Sequence, residues 1–409
     1  MMRLNRTLYL KPACVLFFFL GAGPSFGQDV SISAAVEMFE DLEDVQAAVL
    51  EDSSSALDNV DSVLPEGEGP GIWMPAENPT VRALHLTAWV AGTRKSRRRF
   101  LDHLDGTVVN AIVVPIKESD GRVYIPNVAS AKEFGTERTA IPRPDDLLKD
   151  LRERGLYSIA RIVVFKDNVL PTKRPGWSIM DKDGGLWRND KGLAWVDPYR
   201  KEVWDYNLEV AIEAARLGFD EIQFDYIRFP SDGAIERCRY SRADHSGETA
   251  VAAMNDFLKY ARGRLKDHNV ELSVAVFGMV ASVGDGLGIG QKITDMTDLV
   301  DHVSPMMYPS HYRKGAYGLK SPNHNPYEVI RYGLRDAKRQ LKRNSYKLRP
   351  YLQDFSLGVK YGPKEVLAQI RAAREHGIEN WILWNPVNRY NWDALRFEAP
   401  LTEISAPVP

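Results

Sequence analysis

Asp225 stands in the middle of the segment FDEIQFDYIRFP, two residues after Gln223. On a strand, Gln223, Asp225 and Ile227 share one face, so two polar side chains point where a barrel interior is normally apolar. A charge buried there has to be paired or put to use. The plainer possibility is an internal ion pair between Asp225 and Arg228 or Arg161. The chemical one is half of a glycosidase pair, with one carboxyl protonated as acid and the other ionised as nucleophile or base. Such pairs lie about 5 to 5.5 Å apart for retention and about 6.5 to 9.5 Å apart for inversion. Asp354, in YLQDF, is the favoured second carboxyl, with Asp167 and Glu118 in reserve; a cap or an acceptor for a substrate hydroxyl is the bland role for Asp354. Arg161 and Arg228 would keep Asp225 ionised, which suits a nucleophile or base and leaves the acid role to Asp354 or a reserve.

Aromatic residues crowd the same segments: Trp187 and Trp195 in DKDGGLWRNDKGLAWVDP, then Tyr226, Tyr308, Tyr312, Trp384 and Tyr390. Flat ring faces beside polar groups such as Asp183, Asp190, Asp197, His311 and Asn385 suit sugar rings, although any one of these aromatics serves equally well as core. The eight histidines form no HxxxH or HxH pair, and no metal or other cofactor is expected. Strand-end Asp residues could still hold a structural Ca²⁺. There is no GxSxG, which argues against a serine hydrolase, and no GxGxxG after the first strand, which argues against a dinucleotide fold.

The elements that must position these residues follow from Val81 onward, where short β-branched runs alternate with amphipathic stretches. Eight runs read as strands: 81–89, 108–117, 157–165, 221–229, 271–278, 302–309, 348–355 and 380–387. Helical stretches lie between them near 96–105, 144–155, 199–217, 247–268, 293–300, 326–342 and 363–376, with a last short one from 391. Eight strand-then-helix units over residues 81–400 predict an α/β fold, a (β/α)8 TIM barrel. Chemistry then belongs at the C-terminal strand ends. That rule selects Lys117, Glu118, Lys166, Asp167, Asp225, Tyr226, Arg228, Tyr308, His311, Gln353, Asp354, Trp384 and Asn385.

Before the barrel, Arg3, Arg6 and Lys11 precede an apolar run from Ala13 to Ala22, the layout of a signal peptide over residues 1–27. A periplasmic or secreted protein is expected, with no integral membrane segment after cleavage. From Gln28 to Gly69 there are twelve Asp/Glu and no Lys/Arg, so residues 28–80 read as an acidic, low-complexity, disordered leader. Cleavage would leave a single cysteine, Cys238, and no internal disulfide; a small apolar role suits it better than a catalytic thiol. The 409-residue chain has a formal charge of −2, which falls further once the signal peptide's cations are removed. Nothing in that balance points to nucleic acid, and the expected partner is a carbohydrate.

Taken in order, ARIVVFKDN, DKDGGLWRNDKGLAWVDP, FDEIQFDYIRFPSDG, SPMMYPSHY, YLQDF and NWILWNPVNRY resemble the bacterial glycosyl hydrolase domain family long classed as a domain of unknown function. The resemblance runs from about Val81 to Trp392. It implies a TIM barrel related to carbohydrate-active enzymes, and by motif it carries over Asp225, Arg228, Tyr308, His311, Asp354 and Asn385. Two positions depart from the family pattern, which has Asp where this chain has Pro115 and again where it has Ala275. If those acids are catalytic in relatives, this chain is a weakened enzyme or a non-catalytic glycan-binding barrel. A lyase or transferase acting on similar sugars is a third possibility.

Overall fold

The computed structural model describes residues 80–396; the expected signal peptide and nearly all of the acidic leader lie outside them. Eight parallel strands close a barrel in sequence order: β1 Arg82–His85, β2 Ala111–Lys117, β3 Tyr157–Val163, β4 Glu221–Asp225, β5 Glu271–Phe277, β6 His302–Met306, β7 Tyr351–Gln353 and β8 Trp381–Trp384. The ring closes where Arg82, Ala83 and Leu84 pair with Trp381, Ile382 and Leu383. All seven residues of β2 and of β3 are buried, because helices cover one face and the barrel interior the other.

The main helices between them are α1 Arg94–Asp102, α2 Pro144–Glu153, α3 Lys201–Leu217, α4 Gly247–Leu265, α5 Ile293–Leu299, α6 Pro326–Leu341 and α7 Pro363–Glu375. Each matches an expected stretch to within a few residues, and the final short stretch is the 3-10 turn Trp392–Leu395. Packing and capping explain α3 and α4. α3 buries Val203, Trp204, Leu208 and Ala211 and ends at Gly218, whose φ of 94° is the left-handed turn that sends the chain into β4. α4 starts on a capping box in which Ser246 accepts from the Thr249 amide.

Three features were not anticipated. Pro115 has no amide hydrogen to give to the ladder, and the β2–β3 register slips beside it: Pro115 faces Arg161, and Lys117 faces Ile162. β4 ends at Asp225, because Tyr226 has a φ of 49°, so the alternation expected to place Ile227 on the Asp225 face stops one residue earlier. The loops after β3 and β4 also meet, in a small antiparallel pair formed by Met180–Asp181 and Cys238–Arg239.

Candidate active site

β4 supplies three inward polar residues, and each has a different set of partners. At the lower end, Glu221 is fully buried against Arg349 Nη1 at 2.8 and 2.9 Å, with Ser273 also donating to it. One step up, Gln223 donates to Ser273 Oγ at 3.2 Å and accepts from the Tyr351 hydroxyl at 2.5 Å. Asp225 is the last. Its Oδ2 receives Arg161 Nε at 2.8 Å and Nη2 at 2.6 Å, and its Oδ1 receives the Tyr226 amide at 2.6 Å. Glu221 and Gln223 thus belong to a polar filling of the barrel, and of the three only Asp225 reaches the C-terminal end of the strand.

Arg161 also reaches Glu118, through Nη1 at 2.7 Å. Two carboxylates, from the end of β2 and the end of β4, therefore straddle one guanidinium, and all three side chains are buried. Hydrogen bonding to a cation stabilises the charged form of a carboxylate. Of the two arginines expected beside Asp225, Arg161 makes the ion pair. Arg228 donates to the Phe229 carbonyl at 3.2 Å and to Ser231 Oγ at 2.9 Å, and its guanidinium lies over the rings of Tyr226 (4.8 Å) and Trp195 (5.0 Å). Lys166 also lies over the Tyr226 ring, at 4.9 Å, so two cations contact this ring.

Asp354 follows β7. Asn391 holds both of its oxygens, the backbone amide at 2.9 Å and the side-chain amide at 2.5 Å. Burial nevertheless dominates and pushes this carboxyl up to about 6. Asn385 shapes the turn after β8: its amide group donates to the carbonyls of Asp354 and Arg389, and its Oδ1 accepts from the amides of Val387 and Arg389.

Tyr308 and Trp384 form the aromatic floor, stacked at 5.5 Å and 22°, with Phe355 edge-on to both. His311 packs against Tyr308 at 5.2 Å and bonds Ser310 Oγ through Nδ1 at 2.9 Å. Trp187 and Trp195 are buried within the loop cover, with the Trp187 indole donating to the Ala234 carbonyl. Asp167 is turned to local structure: Oδ1 accepts from the Val169 and Leu170 amides, and Oδ2 pairs with Lys117 at 2.9 Å. Burial pushes the Cys238 thiol up to about 12, leaving little thiolate at neutral pH. Among the described residues, no group of three or more His, Cys, Asp or Glu is placed to hold a metal ion, and no helix is long and apolar enough to cross a membrane.

One residue escaped the sequence reading. His85, the last residue of β1, is fully buried, neither ring nitrogen has a hydrogen-bond partner, and its ring lies edge-on to Trp384 at 6.2 Å. Burial, and after it the Arg161 charge, holds its pKa well below the usual histidine value, so the ring is neutral at pH 7. The expected strand 81–89 placed His85 in mid-strand, and weighing histidines only as metal pairs passed over it.

The model of a family described as "Putative glycosyl hydrolase domain" matches residues 83–390, which contain all eight barrel strands but for Arg82 at the start of β1. The chain belongs to this family. Membership agrees with the family that the motif resemblance implied. Among solved structures, a hypothetical protein from Ruminiclostridium thermocellum is 37% identical, with a TM-score of 0.42, over 47% of this chain and 96% of that one. The glycoside hydrolase domain of PgaB (BpsB) from Bordetella bronchiseptica is 15% identical, with a TM-score of 0.58, over 78% of this chain and all of that one. Alpha-L-fucosidase isoenzyme 2 from Paenibacillus thiaminolyticus is 16% identical, with a TM-score of 0.50, over 77% of this chain and 48% of that one. At those identities the latter two establish the barrel fold alone. No curated protein matches the chain.

Proposed function

We propose that this protein is an exported glycoside hydrolase that cleaves O-glycosidic bonds of a polysaccharide or envelope glycan, with Asp225 and Asp354 as its carboxyl pair. The observation that carries this reading is the contrast between the two environments. Asp225 is gripped by a guanidinium, which favours the charged form needed for a nucleophile or a base. Asp354 is raised to about 6, so a useful fraction keeps its proton in mildly acidic to neutral solution. Two carboxyls whose environments push them apart are the usual arrangement for this chemistry. Asp354 would pass its proton to the leaving oxygen while Asp225 attacks the anomeric carbon or takes a proton from the attacking water. Tyr308 and Trp384 would bear a sugar face, with Tyr226, Arg228, His311 and Asn385 as polar or aromatic contacts. Trp187, Trp195 and Asp167 would act by holding the loops that carry these groups.

The test is release of new reducing ends from a panel of bacterial and plant polysaccharides by the protein, by Asp225→Asn and by Asp354→Asn. Release should vanish with Asp225→Asn. Asp354→Asn should lose the polysaccharide but keep an aryl glycoside whose leaving group needs no proton. If Glu118→Gln shows that pattern and Asp354→Asn does not, Glu118, which shares Arg161 with Asp225, is the acid. Export is supported by the signal-peptide layout of residues 1–27, and a mature N-terminus near Gln28 in a periplasmic or culture fraction would test it.

A second reading, a non-catalytic glycan-binding barrel, is favoured by one observation. Pro115 and Ala275 pair in register with Arg161 and Ser304, and neither brings a carboxylate to the interior. Retention of a glycan by both the native protein and Asp225→Asn, with no cleavage by either, would decide for it.

A further inference from the structure

α1 carries five cations in nine residues, Arg94, Lys95, Arg97, Arg98 and Arg99, and the helix treats them unequally. Arg97 is buried and satisfied by Asp150 (2.8 and 2.6 Å) and the Ala91 carbonyl (2.7 Å). Arg94, Lys95, Arg98 and Arg99 are exposed. Arg98 makes a 3.3 Å contact with the Asp150 carboxylate that Arg97 already occupies. Among the described residues no acid lies within ion-pair distance of Arg94, Lys95 or Arg99. No acid stands in the first turn of α1 to offset the repulsion between its two leading cations and the helix dipole.

The chain carries the missing charge elsewhere. Residues 28–69 hold twelve Asp/Glu and no Lys/Arg, while residues 70–409 hold 50 Lys/Arg and 43 Asp/Glu. The chain from Gln28 onward is thus divided into a strongly acidic segment and a net basic remainder. Glu68 lies fourteen residues before Arg82, where β1 begins, and fourteen extended residues reach about 45 Å. α1, nine residues long, spans only about 14 Å. A tether of this length holds the acidic segment at roughly millimolar effective concentration around the barrel.

We propose that the acidic segment 28–69 docks on the exposed Arg94, Lys95, Arg98 and Arg99 face of α1 in the same molecule. The contact is electrostatic, so it weakens as salt shortens the screening length from about 30 Å at 0.01 M to about 3 Å at 1 M. It does not depend on the proposed catalysis.

The test is carbodiimide cross-linking of purified protein that retains residues 28–69, read by mass spectrometry. Lys95 is the reporter and the exposed Lys364, on α7, the control. At low salt, Lys95 should join Asp or Glu of 28–69 at least fivefold more often than Lys364 does. The excess should disappear at about 1 M salt, and also in the Arg94→Glu/Arg98→Glu/Arg99→Glu variant, whose near-native melting profile would confirm its fold. If that variant fails to fold, the single Arg99→Gln substitution should still reduce the Lys95 cross-links. Equal labelling of Lys95 and Lys364, or an excess that survives high salt, overturns the proposal. So do links found only between differently labelled copies.

Discussion

Arg161 binds Asp225 through two nitrogens, Nε at 2.8 Å and Nη2 at 2.6 Å, and spends its remaining arm on Glu118 at 2.7 Å. Replacing it with methionine removes the guanidinium that these two buried carboxylates share. Losing one partner of a buried pair costs about 3–5 kcal/mol. Arg161→Met should therefore show a clearly lower urea midpoint at neutral pH, and regain part of the loss at low pH, where the carboxyls protonate. An unchanged midpoint would mean that water or another cation supports Asp225.

Asp354 should leave a signature in stability against pH. Its folded value of about 6 lies above the ordinary value of 3.8, so the native state binds this proton more tightly than the unfolded chain does. The resulting penalty is absent below about pH 4, grows as the pH rises to about 6, and stays constant above; two units correspond to about 3 kcal/mol. Asp354→Asn cannot ionise, so its unfolding free energy should lose this downward slope. The comparison is a set of denaturant titrations from pH 4 to 7, and parallel curves would assign the slope to other groups.

Arg349 and Glu221 form a fully buried pair at the lower end of the barrel. Arg349→Met alone should cost about 3–5 kcal/mol, because it strands a carboxylate, while Arg349→Met/Glu221→Leu should recover much of that loss. Chemical denaturation of the two variants measures the difference. If the double variant is no more stable than the single one, the pair's other partners, Tyr157 and Ser273, carry the cost.

Gly278 follows β5, and a Cβ there would lie 2.2 Å from the Met306 carbonyl oxygen. Gly278→Ala therefore has to push β6 away from its neighbour, at a cost of about 1–3 kcal/mol. A melting temperature within a degree of the native protein's would show that the strand ends yield freely.

Much of the barrel was legible in the chain itself. Runs such as AIVVPIK and YSIARIV are mostly apolar and wholly buried because parallel strands are covered on both faces, and that pattern survives without knowledge of the neighbours. Asp225 was legible for the complementary reason, as a charge inside such a run. Alternation also placed Gln223 inside, but it could not say that Ser273 and Tyr351 would satisfy it, nor that Tyr226 would end the strand with a positive φ. The choice between Arg161 and Arg228 was equally out of reach. Arg228 is three residues from Asp225 and Arg161 is 64 away, yet the β3–β4 register brings the distant one alongside. Sequence determined which residue types stand at strand ends. Only the closed barrel decided which of them meet, because partners drawn from different strands are set by register and burial, and neither is a local property of the chain.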